Sequence, residues 1–232
     1  MNRVQLLTPS LSAATPLQNA LAQRGVPCEL ATLDTLRLDV DVRRRMDTVV
    51  NLLSDGLDAG QRLLAAEVLG WLGDIGARVV NGLDAFVVGS SPARQLALFA
   101  HLGLEHPPSR VVGSADLIDA ARQELALAAP QTDVVIGPPV IVRGLAVGDP
   151  VRVEFVGGQL THSDAQTPLP DLVVAAAAEV LGTASVEFGA VRLSRVPTLQ
   201  GEVLTWLGVD TSPALTPESL EALADYVAFK AS

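Results

Sequence analysis

Fifteen arginines and one lysine, Lys230, supply the permanent side-chain cations of this 232-residue chain. Arg152 and Arg192 fall in strand-like stretches of the last third, and Arg195 follows just past the second. A guanidinium presents a planar fork of donors that matches phosphate or carboxylate oxygens. If the three converge on one cleft they bind an anion; as solvated strand-edge residues they do no chemistry. His162, Ser163 and Asp164 have the residue types of a nucleophilic triad. Neighbours on a strand end point in alternating directions, however, so these three read as the polar end of a hairpin. His101 and His106 flank Gly103 with no carboxylate cluster nearby, too little for a metal site. Gly157-Gly158 lacks phosphate-loop spacing and reads as a turn. Cys28 is the sole cysteine, which rules out an internal disulfide and a thiolate zinc cage. Trp71 and Trp206 sit at apolar spacing, as core or interface anchors.

A layered α/β scaffold must position these residues. Apolar types make up 49% of the chain and aromatics 3%, a mix of Val for buried strands and Ala and Leu for helices. The net charge of −10 argues against a nucleic-acid surface, which needs a basic stripe. The one basic cluster, Arg43-Arg44-Arg45, is flanked by Asp39, Asp41 and Asp47 and reads as a solvated loop. No apolar run approaches the roughly 18 residues of a membrane span, and the N-terminus lacks signal-peptide architecture. A soluble cytoplasmic protein is the expectation.

Strand patterns at 4–7, 28–33, 48–53 and 77–81 alternate with helices at 16–23 and 61–72, the first capped by Thr15 with Pro16 at its first position. That alternation predicts a doubly wound parallel sheet over residues 1–82. Residues 83–144 read as a shortened central α+β lobe, with helices at 92–102 and 115–127, the latter capped by Ser114, and short strands at 110–112, 134–136 and 140–142. Residues 145–232 read as a C-terminal α+β lobe. Its predicted pieces are a turn at Gly148-Asp149-Pro150, a hairpin at 151–162, an Ala-rich helix at 170–181, a strand at 185–193, a short helix at 198–207 and a helix from Thr216 to about 229.

Several short strings carry a resemblance through their order. They are Val79-Val80-Asn81, Leu83-Asp84-Ala85, a helix ending in His101-Leu102-Gly103-Leu104, and Pro107-Pro108. Then come Val151-Arg152-Val153-Glu154-Phe155-Val156-Gly157-Gly158, Ala184-Ser185-Val186-Glu187-Phe188, and Val196-Pro197-Thr198-Leu199 followed by Gly208-Val209-Asp210. Together they resemble the RimK-type carboxylate–amine ligases of the ATP-grasp superfamily, over nearly the whole chain. The resemblance implies an ATP-grasp-like α/β fold and a reaction in which a carboxylate attacks the γ-phosphate of ATP and an amine displaces the resulting acyl phosphate. Such chemistry needs cations on the phosphates, a glycine-rich loop over them, and acid and amide ligands for magnesium.

This chain departs from that pattern. The family's two phosphate lysines correspond to Pro92, after Ser91, and to Gly137. Pro138-Pro139 stands where the glycine-rich loop should follow, and the magnesium motif E-x-N aligns with Arg192-Leu193-Ser194. Arg152 matches a substrate-side arginine, Glu187 stands where an aspartate often does, and Arg94 and Arg143 are cations near the altered positions. The expectation is a pseudoenzyme with no catalytic residue, needing neither ATP nor magnesium. It would work as a binding or scaffolding partner, as a homodimer or beside an active ATP-grasp ligase or its peptide substrate. Two alternatives stay open. One is a ligase with Arg94, Arg143 and Arg152 on the phosphates and Glu187 with another acid on magnesium. The other is a metal-independent anion or nucleotide sensor built from the arginine-lined cleft, with Arg192 and Arg195.

Overall fold

The computed structural model describes residues 4–36, 48–53, 56–127, 131–135, 139–198 and 201–232; the Arg43–Arg45 cluster and Gly137 lie outside them. Strands β1 (Val4–Leu7), β2 (Cys28–Ala31), β3 (Thr48–Asn51) and β4 (Val79–Val80) form a parallel sheet in the order β2-β1-β3-β4. All four residues of β3 are buried, as a parallel strand covered on both faces requires. Helix α1 (Leu11–Gln23) seats Leu17 and Leu21 against Val4, Leu6 and Val50 on one face. Helix α2 (Ala59–Asp74) seats Ala65, Leu69 and Leu72 against Leu7 and Val49 on the other. The lobe is doubly wound.

Helix α1 begins a turn before the Thr15-Pro16 start expected from sequence. The Ser10 hydroxyl accepts the Ala13 N–H at 3.4 Å and caps the helix, which leaves Pro16 inside it. The carbonyl that Pro16 cannot bond belongs to Ser12, an exposed residue, so water can satisfy it. Helix α2 starts with a full capping box: the Gln61 N–H donates to Asp58 Oδ1 at 2.8 Å and the Asp58 N–H to Gln61 Oε1 at 3.1 Å.

Helices α3 (Leu83–Gly89) and α4 (Pro92–His101) follow, the second capped by Ser91 with Pro92 at its first position. Strands β5 (Ser109–Val112), β6 (Thr132–Val135) and β7 (Val140–Gly144) make a three-stranded antiparallel sheet in the order β5-β7-β6. The single helix expected at 115–127 is instead a 3-10 turn over Ala115–Leu117 and a short α5 (Ile118–Glu124). Ser114 makes no side-chain capping bond there, and Leu117 at φ −93° and ψ 1° breaks the run between the two pieces.

Strands β8 (Asp149–Val156), β9 (Gln159–Ser163), β10 (Phe188–Thr198) and β11 (Gly201–Asp210) form an antiparallel sheet in the order β11-β10-β8-β9. The β8–β9 turn holds Gly157 and Gly158 at φ 58° and 78°, the left-handed pair a tight two-residue hairpin requires. Asp149 and Pro150 open β8 rather than forming a turn. The helix expected at 198–207 is β11. Its apolar residues suit either period, but β10 offers a long edge whose backbone groups need partners, and pairing from Thr198↔Gly201 to Ala190↔Asp210 supplies them.

One face of this sheet packs Val153, Phe155, Val191 and Leu193 against Ala177 and Leu181 of α6 (Asp171–Thr183) and Phe99 of α4. The other face carries Arg152, Glu154, Arg192 and Ser194. Helix α7 (Pro217–Ala231) crosses back to the first lobe, burying Leu223, Ala224 and Val227 in the core cluster of Val4, Leu6 and Leu21.

Asn81 fastens the two lobes. It is fully buried at φ 56°, a left-handed conformation Asn tolerates better than most residues. Its Nδ2 donates to the carbonyls of Phe188 at 2.7 Å and Thr211 at 2.8 Å. Its Oδ1 accepts from the N–H groups of Glu187 at 2.7 Å and Phe188 at 3.2 Å. Among the described residues, no helix is long and apolar enough to cross a membrane.

Candidate functional site

The register of β8 on β10 places Arg152 directly opposite Arg192. Like charges facing across a ladder repel, so each needs a counter-charge. Arg152 has one. Its Nη2 lies 2.8 Å from Glu154 Oε1 and donates to the Ala214 carbonyl at 2.7 Å. Glu154 is only 1% exposed and also accepts from the Thr216 N–H at 3.1 Å and hydroxyl at 3.0 Å. Burial pushes this carboxyl up, but hydrogen bonds from Ser219 and Thr216 and the Arg152 charge outweigh it, and its pKa ends below the ordinary value.

Arg192 has no counter-charge among the described residues. Its guanidinium lies against Gly208 on β11; a Cβ added at Gly208 would sit 2.8 Å from Arg192 Nη2. Arg192 lines a cavity of about 160 Å³ with Arg143, Asp133, Gly144 and Leu207, between the three-stranded and the four-stranded sheets. There Arg143 directs Nε and Nη2 at the same oxygen, Asp133 Oδ2, at 2.9 and 2.6 Å.

The structure does not bring the other candidates into this cleft. Arg195 extends from the opposite face of β10, bonded to Glu202 at 2.5 and 3.2 Å and to the Thr167 carbonyl at 3.1 Å. Arg94 is exposed in the first turn of α4, where its N–H donates to the Ser91 hydroxyl at 3.4 Å. Glu187 lies on the walls of two other cavities, of about 430 and 340 Å³, neither sharing a lining residue with the arginine cleft.

Glu187 has partners that sequence reasoning missed. Tyr226 donates its hydroxyl to Glu187 Oε2 at 2.5 Å, and the ammonium of Lys230 lies 2.9 Å from the same oxygen. That ammonium also sits 5.0 Å from the Tyr226 ring centroid. The lone lysine is thus tied to the acid that the resemblance associates with magnesium. Its bonds to Tyr226 and Glu187 raise its pKa above the usual lysine value. No local sequence feature links position 230 to 187; only the return of α7 does. Among the described residues, no group of three or more His, Cys, Asp or Glu is arranged to hold a metal ion.

No family model matches the sequence, and no curated protein does. Solved structures match over the whole length. A RimK-domain ATP-grasp protein from Sphaerobacter thermophilus superposes with TM-score 0.75 and 19% identity, covering 97% of this chain and 99% of that one. A RiPP-associated ATP-grasp ligase from Chryseobacterium gregarium, in complex with ADP and a leader and core peptide, gives 0.69 at 13% identity, with 100% and 98% covered. The macrocyclase MdnC from Microcystis aeruginosa, bound with precursor peptide MdnA, gives 0.68 at 13% identity, with 98% and 100% covered. The parallel sheet and the two antiparallel sheets thus superpose on those proteins over nearly the whole length of each chain, and the chain has the ATP-grasp fold.

Proposed function

We propose that this chain acts by binding rather than by phosphoryl transfer. The observation that carries the reading is Arg192, a guanidinium with no counter-charge among the described residues, standing in the cleft between the two antiparallel sheets. The fold implies ATP with magnesium, and the described residues of the cleft do not fit that pair. The cavity of 160 Å³ is smaller than the roughly 300–1,000 Å³ that ligands of such size occupy. Its one acid, Asp133, is already engaged by Arg143. A magnesium ion 4 Å from Arg192 would meet a repulsion of about 8 kcal/mol, twice the unit-charge figure near a protein surface. In-line transfer to a carboxylate depends on cations balancing the phosphate charge around a positioned metal, and these residues supply arginine alone.

A binding protein of this fold works through a partner. Ligases of the same fold whose structures contain precursor or leader peptides support a peptide, or such a ligase, as the kind of partner. A second copy of the chain is the other partner consistent with the reading. The whole-length match to ligases favours the second reading, that of an ATP- and magnesium-dependent carboxylate–amine ligase. Calorimetry of the full chain with ATP, with and without magnesium, separates the two. The expected result is no magnesium-dependent binding. Magnesium-dependent binding at micromolar level would overturn the proposal in favour of the ligase.

A further inference from the structure

We infer that the cleft between β7 and the β10–β11 hairpin is a metal-free oxyanion site that takes a single phosphate group, with Arg192 as its principal ligand and Arg143 beside it. Two observations concern the cavity itself and one the strand face beside it. The first is charge. The cavity presents two guanidiniums and one carboxylate, Asp133, so it retains a net positive charge that no described residue balances. Among the described residues, Arg143 spends Nε and Nη2 on Asp133 and its Nη1 has no partner, and the Arg192 guanidinium makes neither a hydrogen bond nor an ion pair.

The second observation is a pair of orphaned polar atoms. Among the described residues, Arg152 Nε and Ser194 Oγ are buried without a hydrogen-bond partner. One belongs to the residue across the ladder from Arg192, and the other lies two positions along β10 on the same face. Buried polar atoms in folded proteins almost always find partners, so these two mark unmet polar demand on the strand face that bears Arg192, behind the cavity rather than on its wall. The third observation is size. A volume of 160 Å³ is well under the roughly 300–1,000 Å³ of drug-sized ligand sites and suits a group the size of one tetrahedral oxyanion. Guanidinium forks match such an anion through paired N–H donors. Gly208 leaves Arg192 the space to lie in the cleft.

The inference rests on the reading that this cleft holds no magnesium, and the two fail separately. The test is calorimetry of the full chain in EDTA with inorganic phosphate, and in a second arm with ATP. Phosphate should bind without metal, and Arg192→Ala should weaken it by about tenfold to a hundredfold, the effect of losing one charge-assisted contact. Arg192→Lys should retain part of the affinity. Arg192 is exposed, so both variants should melt like the wild type, which a thermal scan checks. Phosphate binding alone assigns the site to the free ion. ATP binding with the same dependence on Arg192 assigns it to a phosphoryl group whose nucleoside stays outside. No phosphate binding in EDTA, or affinity unchanged in Arg192→Ala, overturns the site and leaves the binding-protein reading standing. Magnesium-dependent ATP binding overturns that reading and leaves the EDTA result to stand by itself.

Discussion

At the residue scale the molecule separates arginines that look alike in sequence. Arg152 is held by a buried acid, Arg195 by Glu202 on the neighbouring strand and Arg143 by Asp133, while Arg192 faces a glycine. Residue type marked all four as cations; which of them had a counter-charge was set by cross-strand register for Arg143 and Arg195, and for Arg152 by Glu154 two positions along β8. Glu154 is the most deeply buried of these partners, and its lowered pKa has a pH consequence. A folded-state pKa below the unfolded value near 4.5 contributes stability above that pH, and the contribution is lost as pH falls through the folded value. Glu154→Gln should therefore lower stability at neutral pH by about 3 kcal/mol, as breaking a buried pair does. The gap to wild type should close in acid, where both proteins lack the charge. Urea unfolding over a pH series measures it; a gap independent of pH would contradict this account.

At the element scale the instructive piece is β11. Its residues read as a short helix by apolar spacing, yet the strand forms because β10 presents an edge to it. The outer edge of β11 is then closed in part by α4. Gln95, 6% exposed, accepts the Val209 N–H at 3.0 Å and donates to the Val209 carbonyl at 2.9 Å, pairing as a strand would. It also donates to the carbonyls of Val88 and Gly89, both at 3.1 Å. Gln95→Ala should destabilise the chain by about 2–4 kcal/mol, since it leaves buried backbone groups unpaired. Hydrogen exchange should show the Val209 amide losing protection more than the β8 amides. Unchanged protection at Val209 would show that the side chain is not what closes this edge. Gln95 carries no signature in sequence, being a polar residue in a helix whose target lies far along the chain.

At the scale of the whole molecule the first lobe is finished by the last helix. Leu223, Ala224 and Val227 of α7 are fully buried against β1 and α1, and Asn81 ties the end of β4 to the start of β10. The Arg24 pairs with Glu221 and Asp225 lie at the exposed rim of this contact and add little beside the apolar burial. Ending the chain after Thr216 should therefore unfold the parallel sheet, although no residue before position 216 changes. Circular dichroism and amide exchange at Val4 and Leu6 measure it. A truncated chain that kept those amides protected would show the first lobe to be self-sufficient.

The doubly wound first lobe, the β8–β9 hairpin with its two glycines, the helix after Pro92, the last helix with its Thr216 cap and the order of pieces resembling ATP-grasp ligases were all legible in the sequence. Those features depend on local patterning: alternation, caps and turn residues written within a few positions of one another. The β11 strand, the tie of Lys230 to Glu187, the Asn81 clasp and the isolation of Arg192 were decided only by the tertiary structure. The lysine tie and the Asn81 clasp join residues distant along the chain, and β11, though next to β10 in sequence, carries apolar spacing that suits either period; no local propensity encodes a cross-strand register or the path of a returning helix. The sequence determined that arginine, far more than lysine, is this protein's cation; the fold decided that Arg192, among the arginines of the larger antiparallel sheet, stands without a counter-charge.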